Sequence, residues 1–333
     1  MLDGIENAES AVPPPVPLHA VECCATTHGG LVGEAVVSFT NRHVDSAGTG
    51  GEVMGAERRR PRRDSSARCL EAGTCKLAGV VSVSVICPTY QRSEQLRAMV
   101  RHYCTQTYSG SLELLILDDS PESAEFLAEG QYRKHGVHYV HRPEHRSSIG
   151  AKLNVLMEMA RGDVVMRFDD DDYYAPSYVE RMLELLGDDD ILTLSGWFAY
   201  SPKHGKFCYW ETNVMWPTHF VLSPWDPVRV VSTKGWDPDW TRAQRNGYGF
   251  ATAWRKQVVS QVQFPDKNHG EDAEFFERVV SAGFRSAYAA DAEGLVLHII
   301  HESNTSRMFP QYVLPDFMLQ RYFPGYTDVA EVR

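Results

Sequence analysis

Val164-Val165-Met166-Arg167-Phe168-Asp169-Asp170-Asp171-Asp172 is the stretch that decides the fold. A short apolar run reads as a buried strand, and here it runs straight into four carboxylates. Four adjacent carboxylates repel one another unless a cation sits among them. Hard divalent ions such as Mg²⁺ or Mn²⁺ take oxygen ligands and often bridge to substrate phosphates. A bare aspartate run such as Asp188-Asp189-Asp190 reads instead as a solvated acidic loop. The strand immediately before Asp169 favours a metal–diphosphate site.

Working outward, the same pattern repeats. Val80 to Cys87 is a β-branched run ended by Pro88, and Leu96, Met99, Val100, Tyr103 and Cys104 then fall on one face of a helix. Leu112 to Leu117 is a second strand, stopped by Asp118-Asp119-Ser120-Pro121, and Val137 to Val140 a third. Ile149, Leu153, Leu156, Met157 and Ala160 mark a helix closed by Gly162. After the aspartates come a helix over Tyr178 to Leu186 and a strand over Ile191 to Leu194. Strands alternating with helices predict an α/β fold, a mostly parallel twisted sheet with helices on both faces. Ligands bind such sheets beyond the carboxyl ends of the strands. Thr89 to Arg92, Asp118 to Ser120 and Asp169 to Asp172 all follow strands, so they are expected to converge on one edge.

The second half is less regular. Residues 197–265 hold seven tryptophans and many prolines, then come a helix over Asp272 to Ala282 and a last strand over Leu295 to Ile299. Residues 1–79 read as a disordered extension, or a misassigned start with Met54 opening a shorter chain: they hold a proline cluster, glycine pairs and the arginines Arg58, Arg59, Arg60, Arg62 and Arg63, with too little apolar periodicity to offset the entropy of ordering. The alternative for that segment is a basic tether to a membrane or partner.

Bulk properties narrow the function. The 333 residues carry a formal charge of -11, with 43% hydrophobic and 23% charged residues, and the pI is about 5.6. This argues against a general nucleic-acid binder, whose surface is usually basic. The seven cysteines are odd in number and lack zinc-site spacing, which suits free thiols in a reducing compartment. The start, MLDGIENAES, is acidic where a secretory signal is basic, and no stretch approaches the roughly 20 apolar residues of a membrane span. The expected location is the cytoplasm, or the periphery of a membrane.

Several residues are candidates for chemistry. Asp119, at a strand tip, can accept from a nucleobase N–H or a ribose hydroxyl, or cap a turn. Glu271 and Asp272 open a helix, where carboxylates are favoured by the dipole alone, but either could act as a general base. His298 and His301 could ligate metal or phosphate, or be structural. Asn246-Gly247-Tyr248-Gly249-Phe250 can offer backbone and an aromatic face to a sugar; Tyr248 and Gly249, together with Trp236 and Glu271, are the candidates for an acceptor region. Buried core or a lid is the expectation for most tryptophans.

Taken together, residues 82 to 306 resemble a family 2 inverting glycosyltransferase of the GT-A type. Ser84 to Arg92 resembles that family's opening strand and nucleotide loop, implying donor contacts by Pro88, Thr89, Tyr90 and Arg92. Gln106-Thr107-Tyr108 followed by Leu114 to Ser120 resembles its second strand, implying that Asp119 meets the base. Gly150-Ala151-Lys152-Leu153-Asn154 is similar to its helix beside the donor, implying roles for Lys152 and Asn154. Asp169 to Asp172 matches its DXD metal motif. The resemblance implies that Asp171 is the metal ligand, that Asp169 or Asp170 contacts ribose or metal-bound water, and that Asp272 is the base. His301 to Ser306 is similar to its late histidine motif, implying His301 at the metal or diphosphate. The implied domain spans 80–333: a donor half near 80–196, an acceptor half near 197–306 and a C-terminal segment 307–333. The implied reaction is transfer of a single sugar from a nucleotide diphosphate, UDP by family frequency, to an acceptor hydroxyl on a glycan, lipid-linked or small molecule, with Mn²⁺ or Mg²⁺. The Gln-x-x-Arg-Trp motif of polymer-building members is not found. The rivals are a sugar nucleotidyltransferase, although Pro88-Thr89-Tyr90 is not its glycine-rich loop, and a non-catalytic carbohydrate- or nucleotide-binding protein.

Overall fold

The computed structural model describes residues 81–128, 130–237, 239–304 and 307–327. The extension 1–79 and its arginine run lie outside these residues. The expected alternation is present: β1 (Val83–Thr89), α1 (Ser93–Cys104), β2 (Leu112–Asp118), α2 (Glu125–Ala128), β3 (Val137–His141), α3 (Ile149–Met159), β4 (Val164–Arg167), β5 (Tyr173–Tyr174), α4 (Tyr178–Leu186) and β6 (Ile191–Ser201). There follow β7 (Lys206–Glu211), β8 (Thr218–Val221), β9 (Arg229–Ser232), α5 (Trp240–Gln244), β10 (Thr252–Arg255), α6 (Lys256–Val259), α7 (Glu271–Ser281), β11 (Ser286–Ala290), β12 (Val296–Ile299), β13 (Tyr312–Leu314) and α8 (Phe317–Tyr322).

The order across the main sheet is β13-β7-β6-β10-β4-β1-β2-β3. From β4 to β3 every pairing is parallel, with Thr89 opposite Asp118 and Ile86 opposite Arg167. β10 runs antiparallel between β4 and β6. The first half of β6 pairs with β10 and β11, its second half with β7 and β12.

Alternation along each strand divides the core into two layers. Val83, Val85, Cys87, Val164, Met166 and Phe168 pack with α1 and α4. Ile86, Leu115, Leu117 and Val165 pack with Leu153, Leu156 and Met157 of α3 and with Phe275, Phe276 and Val279 of α7. Arg167 shares the parity of Val165, so this alternation turns it toward α7. The docking of α7 is strong: burying three large apolar side chains contributes on the order of 5–9 kcal/mol before entropy. Gly270 (φ 70) turns the chain into that helix, and Glu271, Asp272 and Glu274 in its first turn complement the dipole.

Two expectations about the second half change. Residues 197–265 are not irregular: they hold β7 to β10, and β6 continues to Ser201 instead of ending at Leu194. Trp197, Trp210 and Trp254 are fully buried, as expected of core residues, while Trp216 and Trp225 remain about half exposed. Among the described residues no helix is long and apolar enough to cross a membrane. Cys87, Cys104 and Cys208 are free thiols.

Candidate active site

The three polar clusters meet at the carboxyl ends of β1, β2 and β4. Thr89 Oγ1 donates to Asp170 Oδ2 at 2.6 Å. Arg92 Nη1 donates to Asp170 Oδ1 at 2.9 Å and Asp171 Oδ2 at 2.6 Å, and its Nη2 reaches the Ser303 carbonyl at 2.7 Å. One guanidinium thus ties the loop after β1 to the aspartates and to the segment after β12. His301 Nε2 lies 2.9 Å from Asp171 Oδ2. His298 Nδ1 lies 2.9 Å from Asp172 Oδ1, its ring stacked on Phe250 at 4.7 Å, and the Ile299 N–H donates to the same Asp172 oxygen.

Burial sets the protonation of this cluster. It pushes Asp170 up to about 7, helped by the charge of Asp171 and opposed by Arg92. Burial likewise pushes Asp172 up to about 6, against the attraction of His298. Asp171 goes the other way: against burial, the His301 hydrogen bond and the Arg92 charge hold it well below the usual carboxylate range. Asp171 is therefore the most readily ionised of these three.

Asp169, Asp171 and Asp172 each offer an oxygen, all within 4.8 Å of one another. A compact set of carboxylate oxygens fits a hard divalent cation. His298 Nε2 is buried and has no hydrogen-bond partner.

Asp119 is 3% exposed and fully engaged by the protein: Lys152 Nζ donates to Oδ1 at 2.7 Å and the Ser147 N–H to Oδ2 at 2.7 Å. The same ammonium donates to the Thr89 carbonyl at 2.9 Å. Lys152 is thus committed to Asp119, whereas Arg92 is the cation that reaches Asp170 and Asp171. Tyr90 carries the Arg146 guanidinium 4.7 Å above its ring. The Asn154 amide exchanges hydrogen bonds with the Phe264 backbone in both directions. Trp236 packs on Trp240.

Asp272 lies in a second cluster. Arg167 Nη1 donates to Asp272 Oδ1 at 2.5 Å and Arg167 Nε to Asp169 Oδ1 at 2.7 Å, with Glu271 Oε1 at 3.7 Å. The Gly249 N–H donates to Asp272 Oδ2 at 3.2 Å. Burial pushes Asp272 up to about 7; Arg167 opposes the rise and Glu271 adds to it. Tyr248 is held by its hydroxyl, which donates to the Arg307 carbonyl at 2.6 Å.

Sequence reasoning passed over Arg167, and it placed Asp118 and Ser120 in a converging cluster without giving either a role. Asp118 Oδ1 accepts from the Ser120 N–H at 2.9 Å and its Oδ2 from Tyr139 at 2.7 Å. Ser120 Oγ in turn accepts from the N–H of Gln91, whose φ of 53° places it in the left-handed region. Thr89, Gln91, Arg92, Asp118 and Ser120 line one side of an open cleft of about 840 Å³. The signal for Arg167 was present: an arginine in a buried strand needs an acidic partner.

The pattern described as Glycosyl transferase family 2 matches residues 84–238. The chain is 25% identical over 244 residues to YibD, an uncharacterized glycosyltransferase of Escherichia coli; the match covers 69% of this chain and 64% of that protein. The chain therefore spans just under two thirds of that relative. Among solved structures it is similar to S. aureus TarS 1–349 in complex with UDP-GlcNAc, with a TM-score of 0.49, 17% identity and coverage of 67% and 60%. It is also similar to the mannosyltransferase PcManGT from Pyrobaculum calidifontis in complex with GDP-Man and Mn²⁺, with a TM-score of 0.47, 15% identity and coverage of 68% and 58%.

Proposed function

We propose that the chain, whose residues 84–238 match glycosyl transferase family 2, is a member of that family and moves a single sugar from a nucleoside-diphosphate donor to an acceptor hydroxyl, with inversion at the anomeric carbon. The observation that carries this reading is the meeting of Thr89, Arg92 and three metal-competent carboxylates at one sheet edge, with Asp272 linked to Asp169 through Arg167.

Asp171, with Asp169, Asp172 and His301, would hold Mn²⁺ or Mg²⁺, which when bound offsets charge on the diphosphate. The cleft lined by Thr89, Gln91, Asp118 and Ser120 is the place for the nucleoside, with Tyr90 and Asp119 at the same strand ends. Arg92 supplies a fixed positive charge for the leaving group. Asp272 removes the acceptor proton as that oxygen attacks the anomeric carbon from the face opposite the diphosphate. The glycosidic bond to the nucleotide breaks with its electron pair on the diphosphate. The products are the inverted glycoside and a nucleoside diphosphate.

The test is thermal denaturation of the purified protein with UDP, GDP, TDP or CDP, each with Mn²⁺ or with EDTA. Selective binding to the folded state raises Tm. A rise for one nucleotide that needs Mn²⁺ supports the donor site, and UDP is the first candidate. No rise with any nucleotide opposes the proposal. Pyrophosphate release from a nucleoside triphosphate would identify a nucleotidyltransferase instead.

A further inference from the structure

We infer that Arg167 is a positioning residue, a rigid strut that fixes the Asp272 carboxylate relative to Asp169. The inference rests on the reading of Asp272 as the base.

Arg167 is the last residue of β4 and only 6% exposed. Strand alternation aims it at the first turn of α7, where Glu271 and Asp272 stand. One guanidinium faces three carboxylates there, Asp169, Glu271 and Asp272. Its contacts use different edges of the planar fork: Nε toward Asp169 at 2.7 Å and Nη1 toward Asp272 at 2.5 Å. A lysine ammonium is a point donor on a flexible stem and cannot reproduce that fixed angle.

The other side of Asp272 is also built. Its second oxygen takes the Gly249 N–H, and a Cβ at position 249 would come within 2.4 Å of both Arg167 Nη1 and Asp272 Oδ1. Both oxygens are therefore held, one by a charge and one by the backbone, with no room for a side chain between. Asp169 belongs to the donor-side aspartates and Asp272 faces the acceptor in the proposed reaction. The planar group joining them sets the separation of the two half-sites.

The test compares full-length Arg167→Met, Arg167→Lys, Gly249→Ala and Asp272→Asn with the unaltered protein. UDP and GDP affinities with Mn²⁺ are measured by calorimetry. Turnover is followed as nucleoside-diphosphate release from UDP-glucose, UDP-N-acetylglucosamine and GDP-mannose, and crystal structures report the Asp272 position. Displacing a reacting group by about 1 Å can cost about a hundredfold. The expected result for Arg167→Met is thus a kcat loss of about that size, with nucleotide affinity and donor KM changed by less than about threefold. Arg167→Lys recovers part of the rate. Gly249→Ala keeps every charge and also lowers kcat, with Asp272 displaced. If Arg167→Met does not fold, the other two variants decide. Wild-type kcat in Arg167→Lys and Gly249→Ala, or equal losses of nucleotide affinity and kcat, would overturn the inference. Turnover retained in Asp272→Asn would instead overturn the base assignment itself.

Discussion

Lys152→Met keeps the length and apolar stem of the side chain and deletes its ammonium. That ammonium lies 2.7 Å from Asp119 Oδ1 and 2.9 Å from the Thr89 carbonyl. The Lys152 and Asp119 side chains are 5% and 2% exposed, so solvent cannot replace the lost partner. Removing one member of a buried ion pair costs about 3–5 kcal/mol. The Ser147 N–H still serves the other Asp119 oxygen, which places the expected loss near 3 kcal/mol. For a domain of this size that lowers Tm by roughly 6–12 °C. Urea denaturation followed by tryptophan fluorescence measures the loss directly. The decisive assay is the double-mutant cycle with Asp119→Asn. Once the orphaned charge is also removed, the double variant should lose less than the sum of the singles, by about 1–3 kcal/mol. Losses that add within about 0.5 kcal/mol would show that Lys152 and Asp119 do not depend on each other, and would refute the reasoning.

Three further outcomes are expected. Asp171→Ala should abolish the Mn²⁺-dependent part of the nucleotide-induced Tm rise; an unchanged rise would remove Asp171 from the metal site. Asp272 titrates near 7 because burial outweighs Arg167, and a base works only when deprotonated. Turnover should therefore climb about tenfold per pH unit below that value and level off above it, a limb that a pH–kcat profile with Mn²⁺ would reveal or exclude. The sign for stability is opposite: the folded state keeps a proton that the unfolded chain releases above its usual value of 3.8, so this group costs stability as pH rises from there toward 7. Asp291 is fully buried and its carboxylate accepts from the backbone N–H groups of Glu293, Gly294, Leu295 and Val296. Asp291→Ala orphans all four, a loss of about 4 kcal/mol or more, seen as a fall in urea midpoint; Asp291→Asn, with one carbonyl oxygen, should fall between.

The parallel half of the sheet was legible because each of its elements states its period locally. Leu96, Met99, Val100 and Tyr103 are buried on α1 as their spacing requires. The convergence of Thr89, Asp119 and Asp170 followed from strand polarity alone. The second half was not legible for the opposite reason. β10 is four residues, Thr-Ala-Trp-Arg, too short to show alternation, and its identity as a strand comes from neighbours far away in sequence. Within the site, residue types were easier to read than partners. Lys152 and Arg92 were both plausible cations for a diphosphate, and only tertiary packing commits one of them to Asp119. Asn154 suited a donor contact by its place in the motif, yet the Phe264 backbone takes its amide. Arg167 was quoted as a strand residue and passed over, although a buried guanidinium always asks for acidic company.

The position of β10 also bears on how the chain is made. Ribosomes extend a chain at about 5–20 residues per second, and β10 emerges roughly fifty residues after β6 is complete, an interval of about 3–10 s. During that time β4 and β6, destined to flank the same strand, each present a bare apolar edge, the kind of surface on which nascent chains associate. Vectorial synthesis therefore leaves a slot in the middle of the sheet that only the later strand can close. A ribosome stalled before Thr252 should carry a chain that is protease-sensitive across both halves, and one stalled far enough beyond Arg255 to free β10 from the exit tunnel should not.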